Sequence, residues 1–302
     1  MTFQVTILGS SAAMPAFDRN QTAQVVNYND ENLFLLDCGE GTQLQIAKYK
    51  VKSHKINHIF ISHLHSDHWL GLTGLLCSMN MQQRTADLHL YAPYNLLEIL
   101  TLHFRYSHTV LRYHIHFHAL EDKDHQVIWQ DDKLSVMALP MLHSLPCWGF
   151  IFEEKTKPKN IIKEKLPTDL PIEQILQLKA GKDVPYKESI LKNEDYTLPP
   201  PKPKKYVFCS DTVYNEAILP FIADADLLYH EASFEASMPD IAAEKMHSTT
   251  HEAALIAQKA NAKRLLIGHF SARYREILPL QEESQSIFPN TSLAIEGETF
   301  EV

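Results

Sequence analysis

Residues 59–68 read IFISHLHSDH, so that His63, His65, Asp67 and His68 fall within six positions directly behind an apolar run. Such a run is a strand end: alternate side chains leave it on one face, and beyond it the chain is free to turn. His63 and His65 can then converge on one point while Asp67 and His68 swing toward a neighbouring one. Imidazole nitrogens and carboxylate oxygens suit zinc, or manganese where the carboxylate share is larger. The lack of a nearby cysteine argues against a purely structural site. Histidines cluster by chance in a chain that has 17 of them, but four donors spaced H-x-H-x-D-H at a strand end form a metal-site pattern.

Stepping outward, strands are expected over FQVTILGSS, AQVVNY, NLFLLDCGEG, HIFISHLHSDH, DLHLYAP, LSVMALPMLHS, KYVFCSDT, DLLYHEAS and KRLLIGHFS. Helical periodicity is expected over 69–81, 94–104 and 248–261. Strands and helices mix throughout, so the class is α/β or α+β. A strand leading into LLDCGEGTQLQI and another into IFISHLH are faintly echoed by VFCSDTVYNEAI and LLIGHF, which suggests two related halves facing each other.

Several other tempting patterns have plainer explanations. YHIHFHAL sets His114, His116 and His118 on one strand face and Ile115 and Phe117 on the other, as simple alternation requires. Asp37, Gly39 and Gly41 read as a strand-to-helix turn, with Asp37 a hydrogen-bond partner to the metal site. Trp69 and Leu72 are expected to pack their helix on the sheet. His247 and His251 are four apart, but Glu252 follows the second histidine, so no HExxH site forms and His251 belongs on an exposed helix face. Cys38, Cys77, Cys147 and Cys209 show no CxxC pair and read as reduced core thiols.

At 302 residues and 45% hydrophobic content, the chain can bury a sizeable core. No apolar stretch approaches the roughly 20 residues of a membrane helix, and no cleavable leader opens the sequence. The expectation is a soluble, cytoplasmic protein with no membrane partner. The net charge of −9 is unevenly placed. Residues 154–205 hold 12 Lys, no Arg and 8 acids, a balance of +4, which leaves −13 for the remainder. Eight of the 16 prolines lie in the same stretch. A basic insert of stiff composition interrupts an acidic body.

HLHSDH matches the HxHxDH signature of the metallo-β-lactamase superfamily. Over nearly its full length the chain resembles one branch of it, the ribonuclease Z family of tRNA 3′-processing endonucleases. The likeness rests on PAFDRN, LDCGEGTQ, SHLHSDHWLGLTGLL, His143 after LPML, SDT at 210–212, HEASF at 230–234, HSTTHEAA from 247 and LIGHFSARY ending at Tyr274. It implies a four-layer αββα sandwich formed as one catalytic domain over 1–302, with a protruding lysine- and proline-rich arm at 153–205. It further implies two zinc ions per chain: His63, His65 and His143 on one, Asp67, His68 and His269 on the other, and Asp211 bridging both. Asp67 would also take a proton from the attacking hydroxide.

The leaving ribose oxygen needs an acid. His247 is the candidate, with Glu231 holding it in its donating orientation. Arg19, Asn20 and Arg273 are the candidate substrate contacts. The implied substrate is precursor tRNA, cut after the discriminator nucleotide to leave a 3′-hydroxyl; the arm's lysines would grip its phosphates, and the enzyme would be a homodimer. Two positions depart from the family pattern: Phe17 stands where Lys is usual, and Val184-Pro185 where Gly-Pro is usual. A hydrolase of small phosphodiesters or thioesters on the same core, and an inactive RNA-binding scaffold, are the alternative readings.

Overall fold

The computed structural model describes residues 2–121 and 125–302. Two seven-stranded sheets dominate it. One runs, in spatial order, Thr299–Glu301, Phe3–Gly9, Ala23–Tyr28, Asn32–Leu36, Ile56–Phe60, Leu88–Pro93 and Ile115–Leu120. The other runs Thr291–Leu293, Leu265–Gly268, Leu227–Glu231, Lys205–Cys209, Cys147–Glu154, Leu134–Met141 and Gln126–Gln130. The four strands from Asn32 to Leu120 in the first sheet pair in parallel. So do the four from Lys205 to Leu293 in the second. Parallel neighbours end at the same edge of a sheet, so the loops that follow them come together.

Aromatic rings fill the space between the sheets. Phe60 lies 5.3 Å from Phe150, and Phe34 lies 5.4 Å from Phe152. Deleting one such fully buried ring would cost about 3–5 kcal/mol. On the outer face of the first sheet, Leu72, Leu75, Leu76 and Met79 of the helix Gly71–Met81 are buried together with Leu96 and Leu100 of Asn95–Tyr106. On the second, Ala253, Ala254, Ile256 and Ala257 of Thr250–Lys259 and Leu280 of Leu278–Ile287 do the same. The layers are therefore helix, sheet, sheet, helix. Among the described residues no helix is long and apolar enough to cross a membrane.

Every strand and helix expected from the sequence forms, with helix ends shifted by a few residues. Among the elements not expected are the strands Cys147–Glu154, Gln126–Gln130, Thr291–Leu293 and Thr299–Glu301 and the helices Pro239–Glu244 and Leu278–Ile287. Three-residue strands carry too little alternation to be read, and Cys147–Glu154 is buried along nearly its whole length, which erases the two-residue period. Thr249 caps the helix Thr250–Lys259, and the Glu252 carboxylate accepts the Thr249 N–H at 2.8 Å, closing a capping box. His251 is partly buried rather than exposed.

Trp129–Ser135 and Glu153–Lys204 form a second compact unit. It holds a helix, Ile172–Lys179, and a hairpin pairing Val184–Tyr186 with Ser189–Leu191. Leu170, Leu178, Val184 and Leu191 make its small core. Val184 is fully buried there, a place where glycine would leave a void.

His116 and His118 are not merely the polar side of an exposed strand. His118 stacks on Tyr91 at 4.3 Å, His89 Nδ1 lies 3.0 Å from His118 Nε2, and His89 stacks on the buried His58 at 5.0 Å. Burial first, then the charges of His89, His118 and Arg84, pushes the His58 imidazole down to about 4. Its unfolded value is roughly 6.5, so below that pH the unfolded chain binds the extra proton. The stability this group contributes is full above about pH 6.5 and falls away as the pH drops toward 4. His58→Leu is expected to flatten that part of the stability curve in urea unfolding, and an unchanged slope would assign the acid sensitivity elsewhere.

Candidate metal centre

The chemistry sits where the two sets of parallel strands end. Asn32–Leu36 leads into Asp37, Ile56–Phe60 into His63, His65, Asp67 and His68, Lys205–Cys209 into Asp211, and Leu265–Gly268 into His269; Glu231 is the last residue of its strand. Two glycines let the backbones meet there. Gly71 N–H donates to Cys38 O at 2.9 Å, and a Cβ at Gly71 would lie 2.1 Å from Gly39 O. Asp37 is held in the left-handed region at φ 54° to reach its partners.

His63, His65, His143 and Asp211 form one group of donors, and Asp67, His68 and His269 a second; within each, all donor atoms lie within 4.8 Å of one another. His63 Nε2 and His143 Nε2 approach His65 Nδ1 to 3.0 and 3.1 Å. Asp211 Oδ2 lies 3.6 Å from His63 Nε2 and 3.4 Å from His68 Nε2, and Asp211 Oδ1 lies 3.4 Å from His269 Nε2. Asp67 Oδ2 lies 3.5 Å from His68 Nε2 and 3.3 Å from His269 Nε2. Tetrahedral coordination at roughly 2.0–2.1 Å spaces neighbouring donors about 3.3 Å apart. The donor set fits metal. A second observation agrees: His68 Nε2 and Asp211 Oδ1, both deeply buried, have no hydrogen-bond partner among the described residues.

The outer ring nitrogens are anchored. His68 Nδ1 donates to Asp37 Oδ2 at 2.7 Å, and Ser62 donates to the same carboxylate through N–H at 2.7 Å and Oγ–H at 2.9 Å. With its one proton so committed, Ser62 Oγ accepts from His63 Nδ1 at 3.1 Å. His143 Nδ1 donates to Met246 O at 2.8 Å. These bonds put a proton on Nδ1 of all three rings, so Nε2 is the lone-pair nitrogen of neutral His63 and His143. At His68 burial opposes protonation, but the carboxylates of Asp211, Asp37 and Asp67 outweigh it and raise the imidazole well above its ordinary range. Its Nε2 becomes a donor only when a metal displaces the second proton.

Burial, followed by the charge of His68, holds the His63 imidazole well below its ordinary range; burial likewise lowers His65 and His143. All three are neutral donors. For Asp211, burial opposes ionisation, but His269 and His68 outweigh it and hold the carboxyl well below the usual range. For Asp67, against the same opposition, His68 and His269 bring the value to about 2.

Beside the donors, His247 Nδ1 donates to Glu231 Oε1 at 2.9 Å, while the nearest Asp211 oxygen is 3.9 Å away. Glu231 is fully buried and also accepts the N–H groups of Ser248 at 2.9 Å and Ser233 at 3.0 Å. Burial would lower the His247 imidazole, but Glu231 raises it to about 9. A cavity of about 450 Å³ brings together His65, Asp67, Asp211, His247, His269 and Arg273. The Arg273 guanidinium lies 4.8 Å above the Phe234 ring.

Arg19 and Asn20 do not line this cavity. Arg19 Nη2 donates to Tyr274 O at 2.6 Å, and Asn20 Nδ2 donates to Glu296 Oε2 at 2.9 Å. They tie the N-terminal loop to the segment after His269 and to the carboxyl-terminal region, while Phe17 is half exposed beneath the Arg19 guanidinium. Sequence reasoning missed Ser62, Ser233, Glu296 and the cavity-lining Lys245. Serine carries no chemical signature by type, and the only signal was its place beside His63 and within HEASF.

The sheets and the donor cluster together define a metallo-β-lactamase-fold protein. Consistent with this, the structure matches the metallo-β-lactamase-fold protein YhfI of Bacillus subtilis with a TM-score of 0.71 at 18% identity, covering 100% of both chains. It matches human tRNase Z, short form, with a TM-score of 0.72 at 28% identity, covering 99% of both. Ribonuclease Z of Bacteroides fragilis is 40% identical over 297 residues, which is 98% of this chain and 97% of that protein. A family model described as anti-Pycsar protein Apyc1 matches residues 3–160. The chain belongs to the ribonuclease Z family, and its first half also falls within the sequence family of the Apyc1 model. The Apyc1 match spans His63 to His143 but not Asp211, Glu231, His247 or His269, so it speaks for the shared core rather than for a substrate.

Asp211 touches both donor groups. Asp211→Ala is expected to lower bound metal, measured by elemental analysis after gel filtration, well below the wild-type content. Full metal retention would remove Asp211 from the centre.

Proposed function

We propose that this chain is a zinc-dependent endoribonuclease that removes the 3′ trailer from precursor tRNA, hydrolysing the phosphodiester after the discriminator nucleotide and leaving a 3′-hydroxyl. The observation that carries the reading is the single cavity in which the donor cluster, His247 on its Glu231 partner and the Arg273 guanidinium meet, in a chain 40% identical end to end to ribonuclease Z. His63, His65 and His143 would hold one zinc and Asp67, His68 and His269 a second, with Asp211 shared. Zinc held by these donors supplies Lewis acidity, acidifying the attacking water and neutralising charge on the phosphoryl oxygens.

The chain's own groups do the rest. Asp67, kept ionised by His68 and His269, accepts the proton of the attacking water. His247 has Nδ1 committed to Glu231, which leaves Nε2 to protonate the departing ribose oxygen. Arg273 steadies the phosphodiester by paired hydrogen bonds. Arg19 and Asn20 serve substrate binding by shaping the N-terminal loop. The arm at 153–205, with lysines that grip phosphates without reading sequence, binds the body of the tRNA. The enzyme works as a cytoplasmic homodimer, with manganese able to replace zinc.

A 3′-extended tRNA incubated with purified protein, with and without chelator, tests the activity: metal-dependent release of the trailer is expected, and none would defeat the reading. His247→Ala is expected to keep its zinc yet cleave roughly 10²- to 10⁴-fold more slowly, with a smaller loss on a substrate whose leaving group is nitrophenolate. Equal losses on both would mark His247 as structural. Replacing residues 156–203 by a short Gly/Ser loop should leave hydrolysis of bis-nitrophenyl phosphate near its original rate. The same change should raise KM for precursor tRNA and flatten its salt dependence, by about 0.7–0.9 in slope per lost phosphate contact. Unaltered tRNA processing at physiological salt would make the arm a surface insertion.

A further inference from the structure

Among the seven donor residues, His269 is the only one with a left-handed backbone, at φ 61°. Strain of this kind, of order 1–3 kcal/mol, persists only where the surroundings over-determine it. Ser233 supplies much of that determination. Its Oγ–H donates to His269 O at 2.9 Å, and its Oγ lies 2.8 Å from His269 Nδ1. A hydroxyl has one proton. Since that proton is on the carbonyl, the bond to the ring must run the other way, with Nδ1–H donating to Oγ. In the neutral ring that metal binding requires, this is the Nδ1–H tautomer, and Nε2, 3.3 Å from Asp67 Oδ2 and 3.4 Å from Asp211 Oδ1, carries the lone pair into the donor cluster.

Ser233 is itself fixed. It is 2% exposed, and its backbone N–H donates to Glu231 Oε2 at 3.0 Å, on the same carboxylate whose Oε1 accepts from His247 Nδ1 at 2.9 Å. One buried carboxylate thus sets both the ring of His247 and, through Ser233, the ring and main chain of His269. Asp37 and Ser62 perform this office for His68 and His63, and Met246 O for His143. Ser233 differs from them in holding the backbone as well as the tautomer.

We infer that Ser233 is the positioning residue for His269: it selects the Nδ1–H tautomer and buttresses the left-handed turn, so that Nε2 meets the metal in register with Asp67 and Asp211. The inference rests on the metal-centre reading. Ser233→Ala removes a hydroxyl without adding bulk, so the variant keeps the packing around it.

Zinc affinity of the full-length protein, measured by competition with a chromophoric chelator, is expected to fall roughly 10- to 100-fold at one site in Ser233→Ala. In the zinc-loaded wild type, proton–nitrogen correlation of the ring of His269 should show the proton on Nδ1. Thermal unfolding of chelator-treated protein should occur modestly earlier in the variant, because the buried carbonyl and Nδ1–H of His269 lose their partner. A variant that melts earlier but binds zinc as tightly would make Ser233 structural only and overturn the inference, as would a zinc-loaded wild type with the His269 proton on Nε2. A wild-type chain that takes up no zinc would instead refute the metal-centre reading, and this inference with it.

Discussion

Everything in the larger unit answers to one electrostatic constraint, the burial of the Asp211 carboxylate. At 2% exposure it has lost nearly all its water, and an uncompensated ion in such a place costs several kcal/mol. Compensation comes from what surrounds it. His68 and His269 hold the charge in place, whereas the Nε2 lone pairs of neutral His63 and His143, at 3.6 and 3.8 Å, cannot compensate it and are donors suited to a metal cation. Such an arrangement cannot be assembled from one segment of chain. It needs the ends of strands from both sheets, and this is what the two parallel sets provide.

A cluster of this kind also needs its rings held from behind, since an imidazole free to flip presents either nitrogen. The rings of His63, His68, His247 and His269 are each restrained by a group that is itself buried and hydrogen-bonded, such as Asp37 by Ser62 and Glu231 by Thr212, Ser233 and Ser248. The strained backbone at Asp37 and His269 is tolerated because several bonds fix each of them. Farther out, Glu296 accepts from the Asn20 side chain at 2.9 Å, and Phe270 N–H donates to Ser10 O at 2.8 Å, tying the N-terminal loop to the strand that delivers His269. Burial pushes the Glu296 carboxyl up, the mark of an acid kept for its hydrogen bonds rather than for exposure to solvent.

The second unit follows a different logic. Its apolar core is four buried side chains, braced by hydrogen bonds of the buried Asn193 and Thr197, and its ion pairs include surface pairs such as Lys192 with Asp183 and Lys187 with Asp169. Pairs this exposed contribute little to stability. The +4 balance of residues 154–205 is therefore a property of a folded surface rather than of a linker.

By itself the sequence pointed to four of the donors, His63, His65, Asp67 and His68, because H-x-H-x-D-H behind an apolar run specifies ligand types and spacing locally; it reached His143, Asp211 and His269 only through the family resemblance. It determined most strands as well, because their two-residue period is a local signal. It also carried the family, through HEASF, HST and HFSARY. What it could not hold were relations between segments remote in the chain. The Thr249–Glu252 capping box is a local T-x-x-E contact, and, as the family resemblance implies, the tertiary structure pairs Glu231 with His247. Only it bound Arg19 and Asn20 to Tyr274 and Glu296, more than 250 positions away, and placed Ser233 behind His269. Residue type and spacing announce chemistry where neighbours in sequence share it, but a hydrogen bond between distant segments exists only once the sheets have brought their strand ends together.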